Sequence, residues 1–186
     1  ISEGQGIVLQ VLDEVTGLAY NPKLYILSPL SPTQYSVILP FQTGSVVKYR
    51  YIRIGSASEV PEATLFEGEV RYRMVNVAAD SVVTDTVQMW LDTPAPGDPL
   101  TGEVSGQVVS AENGAPLADI LISIAGLLTV TDANGNFSLA GIAPGVQNIV
   151  FYAIDGAFEP FQQGAVIAAT QVTPVNVSLK PRQQVE

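Results

Sequence analysis

The sequence repeats short stretches in which every second residue is apolar, and this pattern favours an all-β fold. Alternation with period two is typical of strands with one buried face, whereas an amphipathic helix needs apolar residues three or four positions apart. No window carries such a helical stripe between capping residues. The candidate strands before residue 100 are 6–12, 24–28, 35–41, 45–54, 69–77 and 83–91. After residue 100, the alternation predicts inward-facing side chains at Val104, Val108, Ile120, Ile122, Ile124, Val175, Val177 and Leu179.

A proline-rich segment separates the two sets of strands. Pro94, Pro96 and Pro99 lack backbone N–H donors, so this segment cannot continue a central strand. Its proline content favours a short, semi-rigid spacer. We therefore expect two tandem antiparallel β-sandwiches, one at 1–93 and one at 103–186, joined by a linker at 94–102.

The charge and the missing residue types narrow the possible functions. Eighteen acidic and eight basic residues give a net charge of −10, which repels nucleic acid. The chain has no His and no Cys, which excludes Ser-His and Cys-His catalytic sites and the zinc sites that these side chains build. We expect no catalytic residue, no cofactor, no bound metal and no nucleic-acid partner. A glycosidase built on paired carboxylates remains conceivable, but no spacing of acidic residues indicates a pair.

The hydropathy along the chain bears on its setting. No apolar run reaches the roughly 18 to 20 residues of a membrane-spanning helix, so we expect no membrane insertion. The first residue is Ile rather than Met, which suggests a piece of a longer protein.

A polar loop within 131–145, TDANGNFSLAGIAPG, offers Asp132, Asn134 and Asn136 as candidate oxygen ligands. A calcium loop of the EF-hand type needs a bidentate Glu at its twelfth position, where this chain has Ala143. A phosphate cradle needs glycines that lead into a helix or a Lys, and this loop leads into a strand. The Asn-Gly pair between apolar strands instead predicts a type I′ hairpin turn.

The second half carries four motifs in order, namely G-x-V-V from Gly106, N-G-x-P-L at 113–117, T-D-x-N-G-x-F at 131–137 and G-I-A-P-G at 141–145. Over about 80 residues this half resembles the carboxypeptidase regulatory-like domain. The resemblance implies a seven-stranded Greek-key sandwich of the transthyretin, or prealbumin-like, type. It implies a fold more than an activity, because such modules are joined to peptidases, glycosidases, transporters and adhesins alike.

Several activities of proteins with related folds are excluded by the residues present. The zinc peptidase that gives the domain its name and the transthyretin-like hydrolases of the urate pathway depend on His, which this chain lacks. Pilin and adhesin modules of similar topology form an internal Lys-Asn isopeptide bond from a Lys on the first strand. The corresponding strand, 104–110, has no Lys, and Lys180 is the only one in this half. We therefore expect no isopeptide bond.

The first half contains PTQYSVILPFQTGSVVKYRYIRIG at 32–55 and GEVRYRMVNVAADSVVTDTVQMW at 68–90. Over roughly residues 5–92 it resembles the starch-binding-domain-like sandwich, whose members stack sugar rings on exposed tryptophans. Trp90 is the single Trp, and alternation places it on a polar face with Gln88. Two interpretations stay open, namely packing of Trp90 against a neighbouring domain and binding of a ligand by Trp90.

Basic residues are concentrated on two candidate strands of the first half. Alternation turns Lys48 and Arg50 outward on one strand and Arg71 and Arg73 outward on another. If the two strands pair, these four side chains form a basic strip. The strip is interpreted either as a solvated face balanced by acidic neighbours or as a docking surface for an acidic domain or polymer. The acidic neighbours are Glu59, Glu67 and Glu69.

These observations together predict a non-catalytic accessory pair from a larger secreted or surface protein, which spaces or supports other domains. Its expected partners are the neighbouring domains of the parent chain. The expected location is extracellular or at the cell surface, with the periplasm as an alternative. The alternative function is carbohydrate binding by exposed aromatic residues of the first half, which would make a polysaccharide the partner.

Overall fold

The computed structural model describes residues 4–55, 58–66, 68–97 and 99–183. All regular structure in these residues is β, which confirms the predicted fold class. Accordingly, the described residues contain no helix long and apolar enough to span a membrane. The chain forms two compact units, one made of 1–81 with 87–97 and the other of 82–86 with 98–186.

The first unit is built on one large antiparallel sheet. The strands of this unit are β1 (Gly6–Val11), β2 (Lys23–Ile26), β3 (Ser28–Ser31), β4 (Gln34–Ser36), β5 (Val46–Ile54), β6 (Glu59–Thr64), β7 (Gly68–Glu69), β8 (Arg73–Asn76) and β9 (Met89–Trp90). The sheet has the order β2-β1-β5-β6-β7. β8 also pairs with β5, and β9 with β6, while β3 and β4 form a separate hairpin. The nine residues of β5 pair with three other strands, so β5 organises the sheet.

One face of this sheet carries an apolar core. The register pairs Leu9 with Tyr51 and Val11 with Tyr49, and directly paired residues of an antiparallel sheet share a face. Ile7, Leu9 and Tyr49 are buried on that face together with Leu27. The partly buried side chains packed against them are Val11, Tyr25, Tyr35, Val37, Leu39, Tyr51, Val75 and Trp90.

The predicted strand at 83–91 is wrong over most of its length. Only Met89–Trp90 pairs with a neighbouring strand, and residues 82–86 belong to the second unit. Alternation alone did not reveal this, because an extended segment shows period two whether or not it enters a sheet.

The second unit is a sandwich of two sheets around one core. The strands are β10 (Gly102–Ser110), β11 (Ile120–Ile124), β12 (Leu127–Val130), β13 (Asn136–Ile142), β14 (Gly145–Ala153), β15 (Phe161–Ile167), β16 (Val172–Pro174) and β17 (Val177–Leu179). The first sheet has the order β13-β10-β16, with β17 also paired to β10, and the second has the order β12-β11-β14-β15. All eight side chains predicted to face inward are buried in this core.

Strand β10 departs from the expected purely antiparallel pattern. It pairs in parallel with β16 and, further along, in parallel with β17. Between these pairings the chain steps past Gly106, where the Val175 N–H donates to the Ser105 carbonyl (2.9 Å) and the Gln107 N–H donates to Asn176 Oδ1 (2.9 Å). The glycine of the G-x-V-V motif therefore lies where the backbone between β16 and β17 runs close beside β10.

The predicted type I′ turn is wrong at the Asn-Gly pair. Gly135 has a positive φ of 74°, but Asn134 does not, and a type I′ turn needs both. The Gly135 N–H donates to the Asp132 carbonyl (2.9 Å), which gives a turn with glycine in its left-handed position. Asp132 Oδ1 accepts hydrogen bonds from the backbone N–H groups of Asn134 (2.9 Å) and Asn136 (2.8 Å), so its carboxylate stabilises the turn.

Candidate functional site

The structure does not bring the four predicted basic side chains onto one strip. β5 and β8 do pair, but the register sets Lys48 opposite Met74 and Tyr49 opposite Arg73. Lys48 and Arg73 consequently lie on opposite faces of the sheet, and both are buried. The predicted outward direction of Arg73 is wrong because this side chain joins the face that carries the core.

Arg73 forms a buried ion pair with Glu62 of β6. Arg73 Nη2 lies 2.8 Å from Glu62 Oε2, and Arg73 Nε lies 3.1 Å from both carboxylate oxygens. Glu62 Oε1 also accepts the Tyr51 backbone N–H at 2.9 Å, and the Arg73 guanidinium lies 5.6 Å from the centre of the Tyr51 ring. Since a buried charge needs a partner and hydrogen bonds, this pair is an internal structural element of the sheet.

Arg50 lies on the other face and is also engaged. Its Nε donates to Gln10 Oε1 at 2.7 Å, and its Nη1 forms an ion pair with Glu69. Glu69 therefore balances Arg50, as the interpretation of a solvated face expected. Glu67, the acidic neighbour named with it, lies outside the described residues.

Lys48 and Arg71 hold the loop that follows β1. Lys48 Nζ donates to the Val15 carbonyl at 2.8 Å, and Arg71 Nη2 lies 3.4 Å from the Thr16 carbonyl. Both cations lie over the ring of Tyr72, at 5.2 Å for Lys48 Nζ and 5.6 Å for Arg71 Cζ. Within the described part of the chain, neither cation forms an ion pair. Lys48 and Arg71 therefore contact two backbone carbonyls of the loop and the Tyr72 ring.

The loop itself, 13–17, is ordered by its own side chains. Asp13 Oδ1 accepts the backbone N–H and the hydroxyl of Thr16, both at 2.7 Å, and the Gly17 N–H donates to the Asp13 carbonyl at 2.9 Å. Gly17 has a positive φ of 67° and lies directly against the Tyr72 ring. Together with Lys48 and Arg71, these bonds fix the loop on the sheet.

Burial and neighbouring charge change the pKa values in this cluster. Desolvation lowers the pKa of Lys48, and the charge of Arg71 lowers it further. Desolvation raises the pKa of Tyr72. The two hydrogen bonds from Thr16, of which the backbone N–H is the stronger cause, lower the pKa of Asp13 below its ordinary 3.8.

Replacing Gly17 with alanine is expected to destabilise the first unit. A β-carbon there would lie 2.5 and 2.6 Å from two carbons of the buried Tyr72 ring. Gly44→Ala is the matched control, because Gly44 has a similar φ of 87° but no atom within 4 Å of the position that an added β-carbon would take. Urea unfolding followed by Trp90 fluorescence should place G17A about 1 to 3 kcal/mol below G44A. Equal stabilities would show that the loop does not press on Tyr72.

Replacing Thr16 with valine is expected to raise the pKa of Asp13 towards 3.8, because the hydroxyl donor is lost. The backbone N–H donor remains, so the pKa should stay below that of an unperturbed Asp. A lowered native pKa stabilises the fold above the ordinary pKa, and this stabilisation is lost as the pH falls through the native value. NMR titration of the Asp13 carboxyl carbon in both proteins measures the difference. An unchanged pKa in T16V would contradict the role of the hydroxyl.

Trp90 lies on the core side of the sheet rather than on a polar face. It pairs in register with Glu62 and packs, half-buried, against the apolar core of the first unit. The Arg53 guanidinium lies 5.5 Å from the centre of its ring, and Arg53 Nη2 is 2.6 Å from Asp92 Oδ2. The predicted orientation is wrong because the alternation was extrapolated through 83–88, which is not part of the sheet.

Sequence reasoning missed Glu62, the partner of Arg73. Its neighbours Val60 and Thr64 are buried on the same strand, so an inward position could have been recognised from the alternation of β6. A charged residue at such a position indicates a buried partner. β6 was not predicted because it contains Pro61, and a proline within a short run argues against a strand.

The geometry favours internal support over ligand binding. Among the described residues, no group of three or more Asp or Glu side chains could hold a metal ion. The candidate cations and Trp90 each contact side chains or carbonyls of the first unit itself.

Comparison with known proteins identifies the second half. Residues 103–180 match the sequence model of the carboxypeptidase regulatory-like domain, which confirms the resemblance predicted there. No curated protein matches the chain. The comparisons give no support to the starch-binding-domain-like resemblance of the first half.

Loose similarities to solved structures extend over nearly the whole chain. The minor pilin of Streptococcus agalactiae is 11% identical, with a TM-score of 0.39, over 98% of this chain and 85% of that one. The shaft pilin SpaA of Lactobacillus rhamnosus GG is 10% identical, with a TM-score of 0.36, over 98% and 90%. The TIE protein of Bacillus anthracis is 10% identical, with a TM-score of 0.39, over 97% of this chain but 35% of its own. Similarities at these scores carry no inference about function.

Proposed function

We propose that this chain is a non-catalytic pair of β units that spaces or supports other domains of a larger secreted or surface protein. Its partners are the neighbouring domains of the parent chain, and its location is extracellular or at the cell surface. The carboxypeptidase regulatory-like module at 103–180 is consistent with this role, because such sandwiches are accessory parts of many proteins.

One observation carries the proposal, namely that the candidate ligand-binding side chains of the first unit are used to hold that unit together. Arg73 is buried against Glu62, Arg50 binds Gln10 and Glu69, and Lys48 binds the Val15 carbonyl. A ligand that needed these groups would have to break contacts that order the sheet and its loop. The complete lack of His and Cys removes the commonest catalytic groups as well.

The competing hypothesis, carbohydrate binding through Trp90, makes a direct prediction for fluorescence. Trp90 is the single Trp of the chain, so its emission reports this position alone. Titration with linear α-glucan oligosaccharides is expected to leave the emission unchanged up to millimolar concentrations. Calorimetric titration in parallel covers sugars that bind away from Trp90. Saturable quenching or heat release in the micromolar range would overturn the structural proposal.

A further inference from the structure

The second unit buries two side chains on the outer face of one sheet, which is turned away from the core between the two sheets. In β11 and β14, Ile122, Ile124, Ile149 and Phe151 face the core between the two sheets. The register pairs Ser123 with Val150, and this pair points to the opposite, outer face. Val150 is nevertheless 0% exposed and Ser123 is 3% exposed.

The burial is local to the centre of that outer face. Val146 and Val166, which pair with each other on the same face, are 62% and 69% exposed. Leu121 and Tyr152, nearer the centre, are half-buried. Leu128 and Gln162, which flank the pair in register, are half-buried as well, so the burial spreads across the centre of this face. Complete burial of Val150 beside the open Val146 points to a cover over the centre of the face.

The second unit contains one segment that is separate from the continuous stretch of its sandwich. This segment is 82–86, with the sequence VVTDT. The exposure of its side chains alternates with period two. Val83 and Asp85 are half-buried, and the other three residues are exposed, namely Val82, Thr84 and Thr86. Such alternation is typical of an extended segment that lies with one side against a surface.

We propose that residues 82–86 form a strap across the outer face of the sheet β12-β11-β14-β15 and cover Ser123 and Val150 with the side of Val83. This face is then a surface that accepts an extended segment, and the strap is its occupant in this chain. The stable module accordingly includes residues upstream of the stretch 103–180 that defines the family match.

Two adjacent valines give a matched test in the full-length chain. Val82 is 94% exposed and Val83 is half-buried, so the same substitution should act differently at the two positions. Hydrogen exchange measured by mass spectrometry should show about tenfold faster exchange of the peptides covering β11 and β14 in Val83→Asp. Val82→Asp should exchange as the parent protein does. Retained Trp90 emission verifies in each variant that the first unit is folded.

A milder pair of substitutions tests the contact itself. Val83→Ala and Val150→Ala, alone and combined, form a double-mutant cycle measured by exchange of the β14 amides. Non-additive effects are expected, because residues in contact couple whereas distant ones do not. Additive effects, or equal exchange in the two aspartate variants, would overturn the strap and assign the cover of Val150 to another part of the chain.

Discussion

Replacing Gly106 with alanine is expected to unfold the second unit at much lower denaturant concentration while leaving the first unit intact. A β-carbon at this position would overlap the carbonyl oxygen of Val175 and lie 2.6 Å from its carbonyl carbon. These are backbone atoms, so no change of rotamer relieves the overlap. β10 would have to move away from Val175, which lies between β16 and β17, the two strands that pair with β10 in parallel. We expect a loss of about 3 kcal/mol or more, at the upper end of what overpacking costs.

The control for this experiment lies in the same unit. Gly164, in β15, has no atom within 4 Å of the position of an added β-carbon and no positive φ, so Gly164→Ala should change stability little. Urea unfolding followed by far-UV circular dichroism reports both units, and Trp90 fluorescence reports the first unit alone. A G106A protein as stable as G164A would show that the Val175 carbonyl does not lie directly against Gly106.

Replacing Glu62 with glutamine is expected to have the largest effect on the first unit. Glutamine keeps an oxygen that can accept the Tyr51 N–H, but it removes the carboxylate charge that faces the buried Arg73 guanidinium. Breaking a buried ion pair by removing one partner costs about 3 to 5 kcal/mol. The shift of the urea midpoint, read from Trp90 emission, measures this loss.

A double variant separates the buried charge from the loss of shape. Adding Arg73→Met to Glu62→Gln removes the buried positive charge as well and keeps an apolar side chain of similar length. The double variant is expected to be more stable than E62Q, because a buried charge that has lost its partner costs more than the absence of the pair. If E62Q alone unfolds no more easily than the parent protein, the ion pair does not support the sheet.

Local pattern predicted the second unit well because its strands turn alternate side chains towards one shared core. Alternation at Val104, Val108 and the three isoleucines of β11 is set by contact with a core, and all of them are buried there. The motif around Gly106 carried the resemblance, and the structure explains the glycine by a close approach of backbone. The parallel pairing of β10 with β16 and β17 could not be predicted from local pattern, because the paired segments lie some 70 residues apart in the chain.

The candidate site was predicted less well because it depends on strand register. Lys48 and Arg73 were placed on one surface by alternation within each strand, but the pairing of Lys48 with Met74 sets them on opposite faces. The partner of Arg73 is Glu62 of β6, a strand that was not predicted because it contains Pro61. Trp90 was assigned to a strand that is two residues long in the structure. Charge and aromatic character singled out the candidate cations and Trp90 in the sequence. The contacts of these side chains depend on pairing between strands that are distant in the chain.

The central claim is that the side chains most suited to binding in the first unit serve its own stability. Thermal unfolding of the full chain, followed by Trp90 emission with millimolar polysaccharide fragments, acidic peptides or calcium, tests it most directly. A ligand of micromolar affinity at that concentration would raise the melting temperature of the first unit by roughly 10 °C or more. We expect no shift with any of these ligands. A concentration-dependent rise that is lost in Arg71→Gln would contradict the claim.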